Sequence, residues 1–274
     1  MPRRKIVIPS FNGVAAGESP TCTISVGPRF HAVFLRYKGT ANQATIEADI
    51  AQIRVKINGK VQRTFSPEEL YKIYALNGYA FQAGIIPIFF SEPWRRNVSG
   101  EDTLAWGTDG VDSFQIEVDL DAGAVAPTLS GFAVVDDVKA KLLNIIKWRR
   151  QTIPNSAIGP LDINTLSKKK GNIYQRMHCF ETAAGDIGGV DIEVDSTKIY
   201  NQTDQDNDSV LAMQGMSPQA DTFHIIFDET QRIEDGLPLS NLNTGDKVQD
   251  FNVRWDMTAA NGFTLLTELR GAPE

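Results

Sequence analysis

With 274 residues, 42% of them apolar and 22% charged, the chain can bury one large core or two ordinary ones. Its net charge of −7 and pI near 5.1 argue against a broad nucleic-acid-binding surface, which would be basic. No apolar run approaches the ~20 residues that cross a bilayer, and no signal-peptide core follows Met1–Lys5, so neither a spanning segment nor ordinary export is expected. Cys22 and Cys179 are too few for a disulfide framework or a metal centre.

Read in chain order, the pattern is that of β-structure. Strands are predicted at 6–9, 22–26, 30–37, 50–57, 60–65, 85–90, 112–120 and 129–135. Phe114-Gln-Ile-Glu-Val-Asp-Leu120 shows the rule most clearly: every second residue is apolar, as a half-buried antiparallel strand requires. Asn58-Gly59 is a two-residue hairpin signal, since both residues tolerate positive φ. One helix follows the fifth strand. Ser66-Pro-Glu-Glu69 supplies its capping box, and Gly78 its stop. Residues 136–148 read as a linker in which the next strand begins. Further strands are predicted at 146–153, 161–166, 173–181, 190–195, 197–201, 222–228, 248–256 and 263–269, with one helix from Thr203 to Gly215. Long loops span 91–111 and 228–247.

The two halves repeat each other. A shift of 137 lays residues 73–120 on 210–257 without a gap. Ala75 falls on Ala212, Gly78 on Gly215, Phe90 on Phe227, Arg95 on Arg232, Phe114 on Phe251 and Asp119 on Asp256, with apolar exchanges between them. A period of this length is the size of a domain and not of a solenoid unit. The domains are therefore placed at 1–140 and 141–274, each an eight-stranded sandwich with one short helix. Long connections between sequence-adjacent strands suit the Greek-key crossings of a jelly roll, although spacing alone leaves other sandwich topologies open. The halves differ in charge, −1 for residues 1–140 and −6 for 141–274.

Catalytic patterns are absent from the sequence. His31, His178 and His224 are scattered singles, with no H-x-H or H-E-x-x-H, and His31 and His178 occupy comparable strands. No phosphate loop or G-x-S-x-G elbow occurs. Asp119 and Asp256 read as solvated strand-face residues. The one metal-like cluster is Asp204-Gln-Asp-Asn-Asp208. Asp204, Asp206 and Asp208 match the start of a calcium loop, but Ser209 and Gly215 stand where that loop needs Gly and Glu. The cluster reads first as an acidic helix-capping loop and second as a site for calcium or another hard cation, with further ligands from elsewhere. Trp94-Arg-Arg and Trp148-Arg-Arg read first as edge or interface residues and second as contacts for nucleic acid or phospholipid head groups, and the triplets Asn97-Val-Ser and Asn201-Gln-Thr as chance matches to the glycosylation pattern.

Arg3–Pro9 opening one barrel, Trp148–Pro154 opening the next and the matched blocks from Ile73 and Val210 resemble the double-jelly-roll major capsid proteins of icosahedral viruses. The layout is most similar to the coat proteins of corticoviruses, bacteriophages that contain a membrane. That resemblance implies a structural subunit and not an enzyme, with no required cofactor; calcium or another hard cation at the aspartates is a reading of the sequence pattern alone. It implies homotrimers whose six barrels form a pseudo-hexagonal capsomer. The partners would be neighbouring capsomers, vertex proteins and, through Arg3, Arg4 and Lys5, an internal viral membrane, with no specific nucleic acid. The protein would reside in the virion and assemble in the host cytoplasm. Two other classes compete: a carbohydrate- or receptor-binding module, which needs an exposed aromatic such as Trp106 or Trp255, and a double-jelly-roll glycan amidase, which needs a carboxylate cluster.

Overall fold

The computed structural model describes residues 2–95, 102–240 and 248–274. They form two compact units. One comprises Met1–Tyr74, Tyr79–Trp148 and Ala272–Glu274, the other Ala75–Gly78 and Arg149–Gly271.

Unit 1 contains β1 (Arg4–Val7), β2 (Thr21–Ile24), β3 (Arg29–Tyr37), α1 (Gln43–Asp49), β4 (Ile50–Ile57), β5 (Lys60–Phe65), α2 (Pro67–Leu76), β6 (Ile85–Phe89), β7 (Trp106–Gly107), β8 (Phe114–Leu120) and β9 (Leu129–Asp136). One sheet has the order β1-β9-β3-β6, the other β2-β8-β4-β5. Apart from the β4–β5 hairpin, these strands alternate between the two sheets along the chain, which is the winding of a jelly roll. The alternation of β8 explains why: Phe114, Ile116, Val118 and Leu120 are buried, while the residues between them are half-exposed. Phe30, Phe90 and Trp106 join them in the core.

The next strand, β10 (Ile145–Ile153), carries the chain from unit 1 into unit 2 after Trp148. Unit 2 continues with β11 (Gly159–Ile163), β12 (Ile173–Phe180), β13 (Ile187–Val194), β14 (Thr197–Thr203), α3 (Asp204–Met213), β15 (Thr222–Ile226), β16 (Leu237–Pro238), β17 (Phe251–Met257) and β18 (Phe263–Gly271). Its sheets run β10-β18-β12-β15 and β11-β17-β13-β14. Strand for strand this is the order of unit 1. Cys179, Ile192, Phe223, Val253, Trp255 and Leu265 lie in its core.

The repeat extends to local devices. The β4–β5 turn has Asn58 and Gly59 at φ 50° and 76°, and the β13–β14 turn has Asp195 and Ser196 at 47° and 64°. Both are left-handed turns that match strand twist. The Asn58 Oδ1 accepts from the backbone N–H groups of Asp112 (2.9 Å) and Ser113 (3.0 Å). Asp195, which is 137 residues on, accepts from Gln249 (2.8 Å) and Asp250 (2.9 Å) in the same way. The helices also match. Ser66 and Glu69 exchange capping bonds at α2 (3.2 and 2.8 Å). Thr203 caps α3 by accepting from Asp206 N (3.2 Å).

Three elements correct the sequence reading. Unit 1 has a second helix, α1, so it does not have one helix alone. It is only 7 residues long and contains the strand-like pair Thr45-Ile46, but Asn42 caps it by accepting from Thr45 N at 2.8 Å. The two-residue strands β7 and β16 are too short to leave a periodic signal. Parts of the 91–111 and 228–247 loops, with Arg96 and the Asn97 triplet, lie outside the described residues.

Candidate functional site

The sharpest polar assemblies are two buried clusters at equivalent places. In unit 1, β3 carries Arg29 and His31. Asp136 faces Arg29 across the β3–β9 pair. The Arg29 guanidinium donates to both Asp136 oxygens, with its Nη2 bond at 2.6 Å, and the His31 Nε2 lies 2.8 Å from the same carboxylate. Asp102 lies 3.5 Å from Arg29 and accepts from Arg3 at 2.7 Å. Burial works against the Asp136 charge, but the Arg29 and His31 bonds outweigh it and hold the carboxyl well below its usual range.

In unit 2, β12 carries Arg176 and His178 with the same Arg-x-His spacing, and Glu268 faces Arg176 across the β12–β18 pair. The partners have been exchanged. Arg176 donates to Asp228 at 2.9 Å, and both side chains are fully buried. The His178 Nε2 lies 3.3 Å from Glu268, and its Nδ1 lies 2.8 Å from the Nδ1 of His224. Burial, with the Arg176 charge adding to it, pushes His178 down to about 3, so the ring is a neutral imidazole. In both clusters the carboxylates are matched by guanidinium or imidazole groups across strands. That arrangement ties a sheet together. The sequence missed the motif because Arg29 and Arg176 are 147 residues apart, off the 137 register of the ungapped match.

The other candidates fall elsewhere. Asp204, Asp206 and Asp208 lie on helix α3 and not in a loop. At 3.6 residues per turn, Asp204 and Asp208 share a face, and Asp206 is roughly 200° away. Asp206 is the counterpart of Glu69 and takes part in the cap, where its Oδ2 accepts from the Thr203 hydroxyl (2.8 Å). Among the described residues no three His, Cys, Asp or Glu side chains gather as a metal site. Burial pushes Asp208 up to about 6, with the Asp204 charge adding, and burial pushes Glu181 up to about 7.

Trp106 and Trp255 are fully buried, which corrects their reading as exposed sugar-stacking residues. Trp255 points inward at the position of Val118 and donates to the Cys179 sulfur (3.3 Å). Trp148 is buried against Phe65, and Arg95 is sealed in an ion pair with Glu92 (2.6 Å). Neither is a surface residue for nucleic acid or lipid. Asp119 pairs with Arg54 on the outer face of β8. The cysteines are buried singles, one in each unit, and burial pushes their thiols up to about 11 and 12. At the N-terminus Arg3 pairs with Asp102, Arg4 pairs with Asp137 (2.6 Å), and Lys5 lies over the Phe132 ring.

Two jelly rolls of identical strand order in one chain define the double-jelly-roll class. The sequence models of the viral coat protein P2 N-terminal and C-terminal domains match residues 5–136 and 145–272. The chain belongs to the viral coat protein P2 family. It is 24% identical over 269 residues to the major capsid protein P2 of Pseudoalteromonas phage PM2, covering 96% of this chain and 94% of that one. The crystal structure of the PM2 protein superposes with a TM-score of 0.88 at 22% identity, over 99% and 98% of the two chains. The STIV MCP superposes at 0.69 with 11% identity, over 100% and 98%. A subunit of the PBCV-1 virus capsid does so at 0.67 with 10% identity, over 98% and 93%.

Proposed function

We propose that this coat protein builds the shell of an icosahedral, internal-membrane-containing bacteriophage as a homotrimer. Three chains contribute six jelly rolls, which supply the six walls of a pseudo-hexagonal capsomer. The observation that carries this reading is the strand-for-strand repetition of one barrel within a single chain. Two barrels of one winding but different charge, −1 and −6, can occupy alternate positions around a ring and make different contacts there. Neighbouring subunits would cover sheet edges such as β1 and β6, which are otherwise templates for aggregation. The capsomers would meet one another and the vertex proteins, with assembly in the host cytoplasm. Contact with the viral membrane at the N-terminus would rest mainly on Lys5, since Arg3 and Arg4 are matched by carboxylates. Mass determination in solution with negative-stain imaging tests the proposal. A trimer with hexagonal outline is expected, and a monodisperse monomer that never assembles overturns it.

A further inference from the structure

Unit 1 holds a cavity of about 260 Å3 between helix α2, the 79–82 connection and the outward residues of β3 and β6. Phe34, Tyr71, Tyr74, Tyr79, Phe81 and Phe89 supply rings to its wall. Two of the wall's three tyrosine hydroxyls are occupied by backbone: Tyr71 donates to Ile85 O (3.2 Å), and Tyr74 accepts from Phe89 N (3.0 Å). The lining is predominantly apolar. Ala80 and Gln82 at the rim are exposed, so the cavity opens to solvent. An apolar cavity of ~150 Å3 already takes benzene, and this one has room for roughly eight groups the size of a water or methylene.

Charged groups flank the lining from outside it. Near Tyr71, burial and then the Glu47 charge push the hydroxyl up. Elsewhere on the wall, Phe34 stacks on Phe132 (5.0 Å, 11°). Phe132 in turn lies under Arg36 (5.1 Å) and Lys5 (6.0 Å). Both cations are exposed, and neither is ion-paired among the described residues, unlike Arg3 and Arg4. An apolar slot with free cations beside it is complementary to an amphiphile with an anionic head.

We propose that this cavity binds a single-chain fatty-acid carboxylate of about ten carbons, the chain among the rings and the head at Lys5 and Arg36. The slot has room for one short chain, which selects a free acid over a two-chain phospholipid.

Calorimetric titration of the full chain with sodium decanoate, below its micelle concentration, tests the assignment, with decanol as the neutral control. Saturable one-to-one binding is expected. Ala80→Trp at the exposed rim should weaken both ligands at least about tenfold by filling the mouth. Gln82→Trp serves the same purpose should the first variant misfold. The double variant Lys5→Gln, Arg36→Gln should weaken decanoate about tenfold and leave decanol unchanged. Absence of saturable decanoate binding, or binding indifferent to both rim variants, overturns the site. Equal losses for decanol and decanoate in the double variant overturn the head-group assignment. Capture by anionic phospholipid vesicles without decanoate binding overturns the choice of a single-chain acid.

Discussion

The two units share a winding but not a way of sealing charge. In unit 1 the cluster reaches water on one side: the Arg29 side chain is 17% exposed and Asp102 35%, while Asp136 and His31 are buried. In unit 2 Arg176 and Asp228 are both at 0%, and His178 is paired with another histidine. What survived divergence is the backbone-level hardware, namely turn clamps, helix caps and sheet order. The side-chain clusters on top of it were rebuilt. The same holds at α2. Tyr71, Tyr74, Tyr79, Phe81 and Phe89 of unit 1 correspond to Asp208, Leu211, Met216, Pro218 and Ile226 of unit 2. There Leu211, Met216 and Ile226 pack with Leu76 as a small aliphatic cluster.

The comparison can be broken most sharply at the arginines. Arg176→Ala removes the guanidinium that pairs with the fully buried Asp228 and should cost unit 2 about 3–5 kcal/mol. Arg29→Ala takes a guanidinium from buried Asp136 but leaves its His31 bond, and Asp102 stays near water, so the change should cost unit 1 about 1–2 kcal/mol. Hydrogen exchange resolved by unit, with denaturant, measures both, and equal losses would erase the distinction between wet and sealed clusters. Next in size is the helix cap. Thr203→Ala and Ser66→Ala should each cost about 1 kcal/mol, since both remove an acceptor from an orphan N–H. A calcium-dependent loss confined to Thr203→Ala would instead return Asp206 to an ion site. The smallest effect is expected at the turns, where Asp195→Asn and Asn58→Asp exchange one clamp for the other. Each should stay within about 0.5 kcal/mol by thermal unfolding, because either side chain offers the same oxygen and tolerates positive φ.

Acid should separate the units as well. His178 is held at about 3, below the 6.5 of a free imidazole. The unfolded chain therefore binds the proton first. The stability this neutral ring contributes to unit 2 is fully present above pH 6.5 and is lost as pH falls toward 3. Carbon chemical shifts of the His178 ring at pH 5 should report the neutral form; a charged ring at that pH would contradict the sealed cluster.

Much of the fold was legible in the sequence because strand burial leaves a period of two. Phe114–Leu120 and Phe251–Met257 declare their faces without help from context. The cap at Ser66 was legible for a similar reason, since Ser-x-x-Glu is a local motif. Helix α1 was not, because its seven residues are held by one cap and tertiary packing and not by a periodic face. Asp206 carried two readings, a helix cap and a cation ligand, and it lies in the cap. Its neighbours at every second residue resemble a calcium loop, and only the correspondence of Thr203 with Ser66 marks it as a capping residue. The Arg-x-His clusters needed three dimensions, since their acids arrive from β9, from β18 and from the segment after β15. Trp106 could not be placed because a two-residue strand has no alternation to read.

Residues Ala272–Glu274 belong to unit 1: Lys147 Nζ meets Glu274 Oε1 at 3.0 Å, and Glu274 N donates to Gln62 Oε1 at 3.0 Å. Residue 4 and residue 274 are thus anchored in the same unit, and unit 2 is a closed excursion between Trp148 and Ala272 apart from its short 75–78 segment. Mechanically, a pull applied between those two anchors is borne first by the ties of Glu274 to Lys147 and Gln62. Once they part, tension passes along residues 272–274 into β18. A force–extension trace should accordingly open with a small event, the release of this tail, before either barrel ruptures.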